Sequence, residues 1–423
     1  MARSLTDRIL ARAVQSRLAS LSRGRLILED AGERYELGAR SEAFPIEATL
    51  RVHDPAFYAA CAFRGSIGAG ESYMAGHWST DDLTALVRIL CLNRDTLDGL
   101  EKGLAKLAAP VFKLFHFLRE NSKSGSRSNI AAHYDLGNEL FSQFLDPTMM
   151  YSAAWFERED MTLEEASIAK IDRICRKLDL RPSDHLLEIG TGWGALAIHA
   201  AQQYGCRVTT TTLSEEQFEL ARERVRVAGL EGRVTVLRRD YRDLEGRYDK
   251  IVSIEMIETV GYRYYDTYFE QCSRLLKADG ALLLQAIIIA DQQYEKAKRS
   301  VDFIQRYIFP GSCIPSISAI TSSVARKTDL RLFHLEDLTP HYARTLRQWR
   351  KSFLANEERI AALGYPIEFR RMWEFYLCYC EGGFEERVIG DVQMLLTKPL
   401  NRMEPIFGEL PDRRTPALAR FRS

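Results

Sequence analysis

Apolar positions along the chain follow two rhythms, and the change falls near residue 129. Before it, Leu10, Val14, Leu18 and Leu21 recur at helical spacing with Arg8, Arg12, Gln15 and Arg23 on the other side, which predicts a short amphipathic helix. Asp7 and Arg17 fringe that stripe, so the pattern suits a basic helix lying on a membrane and, equally, a helix packed on its own domain with its arginines in water. Residues 25–28, 34–37 and 48–52 read as short strands, 57–61 and 80–92 as helices, and 108–118 as an apolar stretch carrying only Lys113 and His116. The segment 119–128, RENSKSGSRS, has no large apolar side chain and predicts a linker between an N-terminal domain, 1–118, and a larger domain, 129–423.

After the linker, strands and helices alternate. Residues 185–189, 207–212, 234–237, 250–254 and 281–287 read as strands, with helices near 196–204, 215–228 and 264–276. That order predicts an α/β fold, a doubly wound parallel sheet covered on both faces. Two later extended runs, 330–335 and 388–396, predict an antiparallel edge, with helices around 341–363 and 368–380. The smaller N-terminal domain reads as mixed α/β.

Composition narrows this picture at a few points. Lys plus Arg equals Asp plus Glu at 58 each, so no overall field recruits nucleic acid. Locally the balance differs: residues 1–28 carry six arginines against Asp7 alone. The longest nearly apolar run, 281–290, is broken by Gln285 and is about half the ~20 residues a bilayer-spanning helix needs. Eight scattered cysteines without a CxxC pair predict neither a zinc site nor a disulfide framework, and no metal is expected. With no apolar secretory stretch at the start, the expectation is a cytoplasmic protein.

The candidate chemistry begins where the first strand of the larger domain runs into Glu188-Ile189-Gly190-Thr191-Gly192-Trp193-Gly194 and then a helix. Glycines there let the backbone turn sharply and approach a ligand. The spacing is GxGxG rather than GxGxxG, and the second strand ends Thr210-Thr211-Thr212-Leu213 where a dinucleotide site would place a ribose-binding acid, which counts against NAD. The acid before the loop, the glycine spacing and Asp240-Tyr241 after the third strand resemble instead the S-adenosylmethionine site of Rossmann-like methyltransferases.

More specific residues accompany that loop: His133-Tyr134-Asp135, Met150-Tyr151-Ser152, Asp240-Tyr241-Arg242-Asp243, Glu258 in VSIEMIETVG, Tyr307-Ile308-Phe309-Pro310 and Pro340-His341-Tyr342. Together they resemble the cyclopropane fatty acyl phospholipid synthase family over residues 129–423. Before the linker Gly70 to Gly76 and Trp78 look like that family's N-terminal, lipid-binding-type domain. The resemblance implies methylene transfer from S-adenosylmethionine to a cis double bond of a phospholipid acyl chain at a membrane surface. It implies that Tyr151, Ser152, Glu188, Gly190, Gly192, Thr212, Leu213, Gln217, Asp240 and Tyr241 hold the cofactor, and it suggests a homodimer.

Methyl transfer to an alkene leaves a carbocation, which aromatic faces stabilise without capturing it. Tyr151, Trp155, Tyr262, Tyr264, Tyr265, Tyr307 and Phe309 are available, Tyr151 and Tyr307 foremost. A base must then remove a proton. In the family this is a bicarbonate held by Cys, Glu, His and Tyr side chains and an Ile backbone group. Here the Cys position is Ala153 and the His position Gln285, while Glu258, Ile287 and Tyr342 agree. Losing two side-chain holders counts against bicarbonate. Glu255 stands where family members commonly have Gly, and its carboxylate is the candidate to replace bicarbonate as general base or to orient a water that does so.

The SIEMIETVGY variant, with QAI in place of HTI, is similar to a branch that makes methyl-branched fatty acids of the tuberculostearic type, some members of which work beside a flavin reductase. Two other readings stay open: a small-molecule methyltransferase sharing the fold, and a lipid-binding protein without catalysis.

Overall fold

The computed structural model describes residues 4–95, 136–408 and 410. The expected linker 119–128, the apolar stretch 108–118 and His133-Tyr134-Asp135 lie outside them. Two compact units form. Within the described residues the first comprises 4–95, 299–310 and 346–389, and the second comprises 136–298, 311–345, 390–408 and 410.

The units are not the two contiguous stretches that a single linker would separate. Helices from the far half of the chain, among them Phe303–Tyr307 and Ile367–Glu385, belong to the first unit. Polar side chains tie the longer one in: Tyr73 donates its hydroxyl to Glu374 at 2.8 Å, Thr84 to Glu381 at 3.2 Å, and Arg88 pairs with Glu386 at 2.6 Å.

The first unit's sheet contains β1 (Gly24–Asp30), β2 (Glu33–Ala39), β3 (Glu47–Val52) and β4 (Trp78–Thr80) in the order β2-β1-β3-β4. β1 and β2 make a hairpin with a two-residue turn, Ala31-Gly32, both at positive φ, the geometry whose twist matches paired strands. The amphipathic helix runs Leu5–Leu18, opened by a capping box between Ser4 and Asp7. Leu10, Val14 and Leu18 are buried in the unit's own core, so the packed-helix reading of the stripe is the observed one. Leu5 and Ile9 stay 73% and 59% exposed, beside exposed Arg8 and Arg12.

The second unit holds seven strands: β5 (His185–Ile189), β6 (Arg207–Thr212), β7 (Val234–Arg238), β8 (Tyr248–Ile254), β9 (Leu276–Ile289), β10 (Arg331–Asp337) and β11 (Ile389–Thr397), in the order β10-β11-β9-β8-β5-β6-β7. β5 through β9 pair in parallel and β10 runs antiparallel to β11. Successive residues of β5 and β9 enter opposite layers. Leu187, Leu282 and Leu284 join one apolar cluster, and Leu186, Ala281 and Leu283 the other, which is why these strands read as nearly unbroken apolar runs. Strand order reverses at β5, whose neighbours are β6 and β8, and an open α/β sheet leaves a ligand crevice at the strand ends there. No helix among the described residues is long and apolar enough to cross a membrane.

Candidate active site

A cavity opens at that reversal, beyond the ends of β5, β6 and β8. Tyr151, Ser152, Glu188, Gly190, Gly192, Thr212, Leu213, Gln217 and Tyr241 all line it. Gly190 and Gly192 adopt φ of +102° and +51°, conformations that let the loop turn beneath a ligand. Glu188 is buried, accepts from Thr210 Oγ1 at 2.6 Å, and is pushed up to about 8 by burial. Thr212 donates to Gln217 Oε1 at 2.8 Å.

Asp240 lies between two lining residues, Arg239 and Tyr241, without itself lining the cavity. Its carboxylate turns back to cap the turn Tyr241–Asp243, accepting from the Arg242 backbone at 2.9 Å and from the guanidinium at 2.8 and 2.7 Å. It therefore positions Tyr241, whose ring meets Tyr268 edge-on at 5.4 Å. Trp193 of the glycine loop and Thr259 also face the cavity, as do Met149, Arg239 and Met256, which nothing in residue type marks.

At one wall lies Glu255. It is a non-glycine at φ +48°, immediately after β8. Its Oε1 accepts from the Ala153 backbone N–H at 2.9 Å and from Gln285 Nε2 at 2.8 Å, and its Oε2 accepts from the Tyr342 hydroxyl at 2.6 Å. Glu258, buried, accepts from the Ile287 N–H at 2.5 Å through one oxygen, while its other oxygen has no partner among the described residues. The structure thus brings Glu255, Glu258, Gln285 and Tyr342 together. Tyr307 falls in the first unit, where its hydroxyl donates to Glu71 at 2.5 Å.

Of the aromatic candidates Tyr151 lines the cavity, braced edge-on by Phe141 at 5.3 Å. Trp155 is covered by the Arg173 guanidinium at 4.2 Å, and Tyr265 is buried with its hydroxyl on the Cys313 carbonyl.

Two charged groups in this cluster were not anticipated. Asp391 of β11 is fully buried and accepts from Gln285 Nε2 at 3.0 Å. Lys170, on the helix Leu163–Lys177, is fully buried and donates to Ser152 Oγ at 2.7 Å. The sequence did carry a signal: Lys170 and Lys177 interrupt the apolar stripe of Ala166, Ile171 and Ile174, two turns apart on one face.

Burial pushes Glu258 up to about 8, with Glu255 next to it adding to the effect, and pushes Asp391 well up, whereas it brings Lys170 down to about 8. Burial also raises Glu255, opposed by the bonds from Tyr342, Ala153 and Gln285 and by Lys170. Donor number decides where a negative charge settles. Glu255 has three donors; Glu258 and Asp391 have one each and one unpartnered oxygen each. Of the three carboxyls, Glu255 has the most donors with which to hold a negative charge.

The sequence matches the family described as mycolic acid cyclopropane synthetase over residues 121–394. The chain belongs to this family. A tuberculostearic acid methyltransferase of Mycobacterium tuberculosis is 40% identical over 370 residues, covering 85% of this chain and 86% of that protein. A cyclopropane-fatty-acyl-phospholipid synthase of Escherichia coli is 39% identical, covering 82% and 86%. Among solved structures, a mycolic acid cyclopropane synthase complexed with SAH and CTAB is 35% identical and superposes with a TM-score of 0.61, covering 64% of this chain and 98% of that one.

As a member of the family the chain is an S-adenosylmethionine-dependent methyltransferase. Its cavity fits that cofactor. The glycine loop admits close approach, Thr212 and Gln217 offer polar groups, and the Glu188 and Glu255 carboxyls suit a ligand carrying sulfonium and ammonium charges.

Proposed function

We propose that the protein transfers a methyl group from S-adenosylmethionine to a cis double bond in an acyl chain of a membrane phospholipid, and that Glu255 removes the proton that completes the reaction. The observation carrying this reading is that Glu255, on the cofactor cavity wall, takes the donors of Ala153, Gln285 and Tyr342, three of the positions expected to hold bicarbonate. Bicarbonate would compete with the protein's own carboxylate for that place.

The cofactor supplies an electrophilic methyl group. The alkene π pair forms the new C–C bond while the S–CH3 bond pair stays on sulfur, leaving a cation on the neighbouring acyl carbon. Tyr151 presents its ring in the cavity and stabilises positive charge without trapping it. Glu255 then accepts a proton. Taken from the new methyl group, it leaves a pair that closes a cyclopropane ring; taken from the same group after a hydride has shifted from the branch carbon to the cation, it leaves a methylene branch; taken directly from the branch carbon, it leaves a methyl-branched internal alkene. Saturation to a methyl branch would require hydride from a separate flavin reductase and a proton from solvent.

The branched product is favoured by the similarity to a tuberculostearic acid methyltransferase. Peripheral membrane attachment is supported by exposed Leu5 and Ile9 beside Arg8 and Arg12. Incubation with methyl-labelled S-adenosylmethionine and vesicles of cis-monounsaturated phosphatidylglycerol, followed by proton NMR of the acyl chains, tests the reading. Label in a ring or a branch supports it; label confined to aqueous products rejects it.

A further inference from the structure

Gln285 joins two carboxyls through one nitrogen. Its Nε2 donates to Glu255 Oε1 at 2.8 Å and to Asp391 Oδ2 at 3.0 Å, and the side chain is fully buried. An amide can be turned over with little change of shape, exchanging donor for acceptor. The sense is set from the opposite side. Gln285 Oε1 accepts from Gln393 Nε2 at 3.0 Å, and Gln393 Oε1 accepts from Lys177 Nζ at 2.7 Å. An ammonium only donates. Gln393 must therefore show its oxygen to Lys177 and its nitrogen to Gln285, and Gln285 must show its nitrogen to Glu255. Lys177 is anchored in turn by Glu336 at 2.6 Å, whose carboxylate also holds Arg173.

We propose that Lys177 and Gln393 are positioning residues for methyl transfer, acting through Gln285 to keep its amide hydrogens directed at Glu255 and Asp391. This rests on the reading of Glu255 as the base and deepens it. With the amide reversed, a carbonyl oxygen would face the Glu255 carboxylate, a donor would be lost and repulsion gained, and Glu255 would keep its proton to higher pH. The charged and titratable groups facing Glu255 are Tyr342, Lys170, Glu258 and Asp391, and those facing Lys177 are Glu336, Arg173 and His334. Lys177 and Gln393 are each only 1% exposed, so water does not substitute for either.

Gln393→Glu isolates the effect. The new carboxylate still accepts from Lys177 but, when ionised, has no hydrogen for Gln285, so the amide turns over. Expected are a fall in kcat of about tenfold at neutral pH, an upward move of about one unit in the acid limb of the kcat–pH profile, and a KM for S-adenosylmethionine within about twofold of the parent. Gln393→Met, which neither donates nor accepts, moves the limb less. A purely structural role would lower Tm and scale kcat at every pH without moving the limb.

A folded Gln393→Glu protein whose acid limb coincides with the parent's overturns the proposal. Should that variant fail to fold, Lys177→Met, which removes the donor that sets the direction, is read by the same profile with the same two outcomes. Glu255→Gln is measured alongside. Loss of turnover there with an unmoved Gln393→Glu profile overturns this inference alone, whereas full turnover there overturns the base reading and this inference with it.

Discussion

The Tyr342 hydroxyl donates to Glu255 Oε2 across 2.6 Å, joining a helix to a strand end 87 residues earlier in the chain. A hydrogen bond to a charged group contributes ~1.5–3 kcal/mol, which corresponds to about one to two pKa units on the acceptor. Burial already raises the Glu255 pKa, and this bond opposes the rise. Tyr342→Phe removes the opposition. A base works only when ionised, so activity is lost as pH falls through its pKa, and a higher pKa moves that loss upward. The acid limb of the kcat–pH profile should rise by about one unit or more, with the dissociation constant for S-adenosylmethionine unchanged. An acid limb that stays in place removes Glu255 from the role of base.

Gly190 tests the cofactor loop separately from the chemistry. A side chain at φ +102° is strained by ~1–3 kcal/mol, and relaxing the strain moves the loop. The added Cβ would sit 3.5 Å from Met256, an ordinary contact, so the loss in Gly190→Ala reports backbone geometry rather than a clash. Calorimetry should show S-adenosylmethionine binding weakened by about tenfold. Gly229→Ala, also at positive φ but outside the cavity lining, should lower Tm and leave affinity alone. Equal affinities in the two variants would place the cofactor elsewhere.

The glycine loop and strand ends were legible because each is a short contiguous run with its own spacing, and β5 to β9 fall where the apolar runs place them. Glu255 stood out only against the family resemblance, which puts Gly at that place. Asp391 and Gln393 were not legible: each is an ordinary residue on a strand, and only the pairing of distant segments brings Gln393 to Gln285 across 108 positions of sequence. Helical periodicity likewise says that Ile367–Glu385 is a helix without saying which core receives it, so its place in the first unit was invisible. The N-terminal stripe was ambiguous for the same reason, since burial in a core and burial in a membrane call for the same residues.

Glu258 gives a prediction about stability. Its folded pKa of about 8 lies above the ordinary 4.5, so the folded state binds this proton more tightly than the unfolded chain does. The contribution is fully present below about pH 4.5 and is lost as pH rises through about 8. Glu258→Gln keeps an oxygen for the Ile287 N–H and removes the titration. Thermal unfolding between pH 5 and pH 9 should show the parent losing Tm more steeply, with the variant ahead by about 2–4 °C or more at the alkaline end. Glu188, also raised to about 8, leaves some slope in both proteins. Parallel curves would mean that Glu258 is ionised in the folded state.

Glu255→Gly separates the donors from the base they hold. Glycine adopts φ +48° without strain, so the backbone after β8 keeps its course while the carboxylate disappears. The Ala153 N–H, the Gln285 amide and the Tyr342 hydroxyl then face a space the size of a carboxylate, each having lost the acceptor that Glu255 supplied. Turnover should fall by about 10²–10⁴-fold, the usual contribution of a positioned base. Added formate, acetate or bicarbonate should restore part of it, saturably, because a small anion placed there regains the same three hydrogen bonds. Glu255→Gln should fall as far and gain nothing from the anions, since its amide still fills the place. If Glu255→Gly binds S-adenosylmethionine normally and no anion restores turnover, then the three donors hold Glu255 for structural reasons and the proton leaves by another route.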